Sequence, residues 1–152
     1  MFEVVTQSVS PSRADSENGE NTFRSKMIRY IDLMQGYKTA VKNLHWAAKR
    51  LSNSDKRGIH LYLDDFTDTL AEFEDSVFED FMGINGSINP QDIQSISCAC
   101  TDVRDLINSI LAETLSLYEN IPPIPLFSGM KSETEVFIHN LNQFKYRFSL
   151  TE

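Results

Sequence analysis

IHLYLDDFTDTLAEFEDSVFEDFMGING, residues 59–86, decides the fold. Ile59, Leu63, Phe66, Leu70, Phe73, Val77 and Ile84 recur at three- and four-residue steps, the period of one helix face, and Gly83 with Asn85-Gly86 supplies a stop. The same stretch carries eight acids, Asp64, Asp65, Asp68, Glu72, Glu74, Asp75, Glu79 and Asp80, and no Lys or Arg. The whole chain has 22 Asp and Glu against 14 Lys and Arg, a formal charge of −8. Removing these 8 from the 22 leaves 14 acids against 14 bases, so the net charge belongs to one helix.

Working outward, a first helix over residues 23–51 precedes this one. Met27, Tyr30, Ile31, Met34, Tyr37, Val41, Leu44, His45 and Ala48 form its apolar face, and Ser52-Asn53-Ser54-Asp55 reads as a turn. Residues 1–22 are polar and carry little apolar period, which predicts a flexible N-terminal tail ahead of a single domain over 23–152. After Gly86 comes a long connection to about residue 97. A third helix follows over Val103, Leu106, Ile107, Ile110, Leu111, Thr114, Leu117 and Tyr118, ended by Ile121-Pro122-Pro123. A fourth starts at Ser132, with Glu135 three residues on as a capping box, and Val136, Phe137, Leu141, Phe144, Tyr146 and Phe148 give it an apolar side. The fold class is all-α: four helices, with the long connection between the second and third, as in ferritin-type bundles.

At 152 residues, 41% hydrophobic and 24% charged, the chain suits one soluble domain. No apolar run approaches the roughly 18 residues of a membrane span, and no export leader is visible, so no membrane partner and a cytoplasmic location are expected. The acid surplus, and a tail with only Arg13 as a base, argue against a DNA-gripping surface. Cys98 and Cys100 lie too close in sequence to close a useful loop. With no His nearby for zinc, they read as buried small residues in a reducing compartment.

On a helical wheel with His60 at zero, Asp64 falls near 40°, Asp75 near 60°, Asp68 near 80°, Glu79 near 100° and Glu72 near 120°, while the apolar set spans about 220–300°. The stripe therefore lies opposite the core. Three i,i+4 and two i,i+3 acid pairs cost about 1–2.5 kcal/mol in repulsion, which favours nearby cations. Basic residues of the first helix, Arg24, Lys38, Lys42 and Lys49, are one source, and the stripe as a salt-bridged, solvated face is one reading. Metal ions are the other source. His60 with Asp64, and Asp75 with Glu79, each make a one-turn ligand pair. The two pairs stand about 22 Å apart along one helix, too far to share an ion. A two-fold-related copy of the helix, running antiparallel, would lay one pair against the other and make two equivalent sites, with Phe78 as an apolar wall and His45 adding a ligand. Imidazole plus carboxylate with open positions suits iron.

His45-Trp46, then His60-x3-Asp64-x10-Asp75-x3-Glu79 and Met82-Gly83-Ile84-Asn85-Gly86, resembles the ferroxidase motif of Dps proteins, the mini-ferritins of the ferritin-like superfamily. The resemblance implies a ferritin-like four-helix bundle built from two-fold dimers into a hollow dodecamer. It further implies Fe2+ oxidation at inter-subunit sites and storage of ferric iron, an oxidoreductase activity that protects against oxidative damage. His45, His60 and Asp64 of one subunit would act with Asp75 and Glu79 of its mate as catalytic metal ligands, with Trp46 beside the site and Asp68 and Glu72 guiding ions toward it. The alternative is a non-catalytic helical interaction protein whose acidic face binds cations or a basic partner. No Glu-x-x-His pair of the in-bundle di-iron type occurs, and His139 reads as a surface or packing residue of the fourth helix.

Overall fold

Four apolar stripes at helical spacing must be buried against one another, and the computed structural model does this with α1 (Arg13–Ala48), α2 (Ser54–Asn85), α3 (Val103–Asn120) and α4 (Ser128–Ser149). It describes residues 13–48 and 54–150, and side chains over 22–48 and 58–150. The proposed tail is thus described only in part: residues 13–22 continue α1, and 1–12 lie outside the described residues, as do Lys49 and the turn up to Asn53.

The helices pack as a square. α1 lies against α2 and α3, and α4 against α2 and α3, so α1/α4 and α2/α3 are the diagonals. Ring contacts set the directions. Phe23 meets Phe81 at 5.9 Å, Tyr30 meets Phe73 at 6.4 Å and His45 meets His60 at 4.1 Å, an antiparallel α1–α2 pair. Tyr62 with Phe148, Phe66 with Phe144 and Phe73 with Phe137 make α2–α4 antiparallel as well. Because α3 folds back onto α4 through the short 121–127 link, α2 and α3 point the same way.

Residues 86–102, with one 3-10 turn at Pro90–Asp92, therefore travel back along the outside of α1. Gln94 N–H donates to Asp32 Oδ1 at 2.8 Å, and Ile96 N–H to the Asp32 carbonyl at 3.0 Å. At the crossing sits Gly36. A Cβ built there would stand 1.8 Å from the Ile96 carbonyl oxygen, so only glycine lets the chain pass at this height.

Helix ends follow local chemistry. Gly86 takes φ +85°, and its N–H closes onto the Met82 carbonyl at 2.8 Å, a left-handed terminus that a non-glycine residue resists. Gly83, expected to help stop the helix, sits inside it. Asp102 caps α3 by accepting from Asp105 N–H at 2.9 Å. α4 starts at Ser128, not Ser132, because the 3-10 turn Pro125–Phe127 seeds it earlier. Glu135 consequently lies in its second turn and accepts from the Tyr118 hydroxyl at 2.5 Å instead of capping.

The core is a ladder of aromatics and aliphatics, with Phe23, Phe66, Phe81, Phe127, Phe137, Leu63, Leu70 and Leu106 fully buried. Each such side chain contributes roughly 1.5–3 kcal/mol on burial. Phe73 and Phe137 stack at 4.0 Å and 8°. The buried Tyr30 hydroxyl bonds Thr114 Oγ1 at 2.8 Å, and burial holds its phenol well above the usual range. Among the described residues no helix is long and apolar enough to cross a membrane.

Candidate metal centre

The antiparallel α1–α2 pairing places the last turn of α1 beside the early part of α2, and this brings together residues 15 positions apart. His45 is buried, and its Nδ1 lies 2.9 Å from Asp64 Oδ1. His60, one turn before Asp64, has its Nε2 3.7 Å from Asp64 Oδ2. One ligand atom from each of the three residues falls within 4.8 Å of the others. The imidazoles face each other with centroids 4.1 Å apart. His60 Nδ1 is buried and has no hydrogen-bond partner. Two imidazoles and a carboxylate brought together in this way are a donor set matched to a borderline transition-metal ion.

Among the described residues this is the one group of three or more His, Cys, Asp or Glu side chains close enough to hold a metal. Asp64 is about half exposed, so the cluster opens at the surface instead of closing inside the bundle. Trp46 and Leu61, the residues that follow His45 and His60 in the chain, are large apolar side chains with 55% and 51% of their surface exposed.

Asp75 and Glu79 are exposed and do not join this cluster. They line a separate open cleft of about 710 Å³ between α1, α2 and the 86–102 segment, with Phe78, Met82, Ile88 and Ile93 as its apolar walls. The five expected ligands thus divide into a trio, His45 from α1 with His60 and Asp64 from α2, and a pair further along α2. Asp68 and Glu72 are also exposed on that face. His139 is exposed on α4 and belongs to neither group.

One acid departs from the stripe. Glu74 is only 5% exposed and is held from both sides by α1: Lys38 Nζ at 2.5 Å from Oε1 and Gln35 Nε2 at 2.7 Å from Oε2. Its wheel position, near 320°, is next to Leu63 and not among the other acids, a signal already present in the spacing. Lys38 therefore does pair with α2, at a buried acid instead of at the stripe. Asp65 meets Arg147 of α4 at 3.9 Å. Glu133 of α4 bonds the Ser76 hydroxyl. Burial and contact with the Asp80 carboxyl push Glu133 up to about 7, against the lowering effect of Ser76.

No family model, curated protein or solved structure matches this chain.

Proposed function

We propose that the chain is a Dps-like mini-ferritin that binds Fe2+ as substrate at sites shared between two subunits, oxidises it, and stores the ferric product in a hollow homo-oligomer. The observation that carries this reading is the convergence of His45, His60 and Asp64 on one surface cluster, with ligand atoms within 4.8 Å. Three ligands that open at the surface leave coordination positions for a further donor and for an oxidant. Asp75 and Glu79 stand on the same helix face beside the apolar cleft, where a two-fold mate would bring them to the trio of its partner. The helix order also fits a ferritin-like bundle, since α2 and α3 run parallel across a diagonal and 86–102 spans between them.

In this reading His45 and His60 donate neutral imidazole nitrogens, and Asp64 and Glu79 donate carboxylate oxygens. Asp75 bridges or orients. The exposed Asp68 and Glu72 raise the local concentration of cations near the site. Electrons leave Fe2+ for dioxygen or peroxide; the protein's part is geometry and charge.

The decisive measurement is Fe2+ oxidation by the wild type and by a His60→Ala, Asp64→Ala double variant, with particle mass taken in parallel. Loss of oxidation in the variant, and a particle of twelve chains of 17.4 kDa each, support the proposal. Equal rates refute it. The exposed apolar Trp46, Leu61 and the half-buried Phe78 set among acids also fit a second reading, an interaction module for a basic partner. A monomer without iron chemistry selects that one.

A further inference from the structure

Cys98 and Cys100 read from the sequence as buried small residues. They are only half-buried. On the 86–102 segment Ala99 between them is exposed, so both side chains face inward onto the bundle. The Cys100 N–H donates to Cys98 Sγ at 3.3 Å, so the two residues close on each other within one tight stretch of chain. Cys100 Sγ lies 3.6 Å from the Ser109 hydroxyl of α3. Each sulfur therefore has its own neighbouring donor, a backbone amide for one and a hydroxyl for the other, placed to support a thiolate. Tyr37 of α1 is near enough to interact with both thiols. Its phenol is pushed up to about 12, chiefly by burial, with Glu113, Cys98 and Cys100 adding to the effect.

We propose that Cys98 and Cys100 form a two-thiolate clamp for a soft monovalent cation, of which Cu+ is the biologically relevant kind. Two inward-facing thiols two residues apart, with the amide of one on the sulfur of the other, are within reach of a single bridging ion. The donor count selects which ion. Zn2+ in a closed site takes four ligands, and among the described residues no His, Asp or Glu completes a trio with these cysteines. Cu+ is satisfied by two thiolates, and thiolate donors favour it over hard cations. Binding displaces the thiol protons to solvent, two per ion when both sulfurs start protonated, with no change in oxidation state. Burial and the neighbouring thiol hold the Cys98 proton more tightly than usual, so affinity rises with pH. The site shares no residue with the His45, His60 and Asp64 cluster, so either can fail alone.

The test uses the full chain, reduced and free of oxygen, with Cu+ as the probe and bathocuproine disulfonate as a coloured competitor. The wild type withdraws one Cu+ per chain from the competitor and develops the ultraviolet thiolate-to-copper charge-transfer band. Cys98→Ser and Cys100→Ser, near-isosteric and checked for helix content, each lose about 100-fold or more in affinity, since even outer-shell changes cost 10–100-fold. The His60→Ala, Asp64→Ala variant binds Cu+ as the wild type does. Three results overturn the proposal: no charge-transfer band in the wild type, unchanged binding in both serine variants, or loss of binding in the His60 and Asp64 variant.

Discussion

Lys38 on α1 reaches Glu74 on α2 at 2.5 Å, and it is the base of a pair whose acid is almost fully buried. Gln35, one turn earlier, fills the other carboxylate oxygen at 2.7 Å. One of the eight acids of the α2 run is thereby neutralised inside the α1–α2 seam, and the charge left for the solvent face is smaller than the sequence count.

Glu74→Ala removes the anion and leaves Lys38 and Gln35 facing a gap, an expected loss of about 1–3 kcal/mol. A Lys38→Met, Glu74→Leu double variant recovers most of it, because replacing both charges is far cheaper than stranding one. Urea midpoints of the singles and the double give the coupling. Strict additivity would show that the two side chains do not act as a pair.

Glycine-to-alanine exchange has opposite signs at two places in these helices. Gly83→Ala meets nothing within 4 Å and gains roughly 0.5–1 kcal/mol in helix preference. Gly36→Ala earns the same local preference but drives a methyl onto the Ile96 carbonyl, and overpacking of this kind costs about 1–3 kcal/mol. Thermal unfolding of both variants checks the pair of signs. A stabilised Gly36→Ala would mean that 86–102 does not cross α1 there.

Glu133 carries a proton further up the pH scale when folded than its ordinary 4.5, at about 7. Its contribution to stability is therefore complete below pH 4.5 and is lost as pH rises through about 7, where a second charge forms beside Asp80. Glu133→Gln should gain on the wild type over that window and then hold a constant difference. Denaturant titrations at a series of pH values read this directly, and a pH-independent difference excludes the linkage.

Shared sites make a prediction about mixtures. A chain with His60→Ala and Asp64→Ala and a chain with Asp75→Asn and Glu79→Gln are each expected to be inactive in Fe2+ oxidation. In a two-fold heterodimer of the two, one of the two sites has all its ligands intact. Random refolding of equal amounts then restores about a quarter of the wild-type rate. Sites built within one chain give no recovery.

Much of the bundle was legible because burial imposes a period. The apolar faces of α2 and α3 and the stop at Ile121-Pro122-Pro123 follow from spacing and proline chemistry alone. Helix starts were less visible. Residues 13–22 have little apolar period yet extend α1, so apolar spacing carries no record of where that helix starts. Ser132 and Glu135 mimic a cap, but Pro125 and its 3-10 turn set the start of α4 at Ser128. At the site, His45 had to be matched to His60 and Asp64 across a turn, and the antiparallel pairing supplied what one-dimensional spacing lacks. Glu74 was grouped with its neighbours in sequence when its angle placed it at the core edge. The inward-facing thiols of Cys98 and Cys100 had no periodic signal at all, because 93–102 has neither helix nor strand to set one.

The parallel course of α2 and α3 divides the molecule into two antiparallel hairpins, α1 with α2 and α3 with α4, joined covalently only through 86–102. Most of that segment is solvent-exposed over residues 89–97. A proteolytic nick there severs the chain without removing a single helix–helix face. Each half keeps the greasy surface that recognises the other, which is the condition for fragment complementation and, between two copies, for exchange of hairpins.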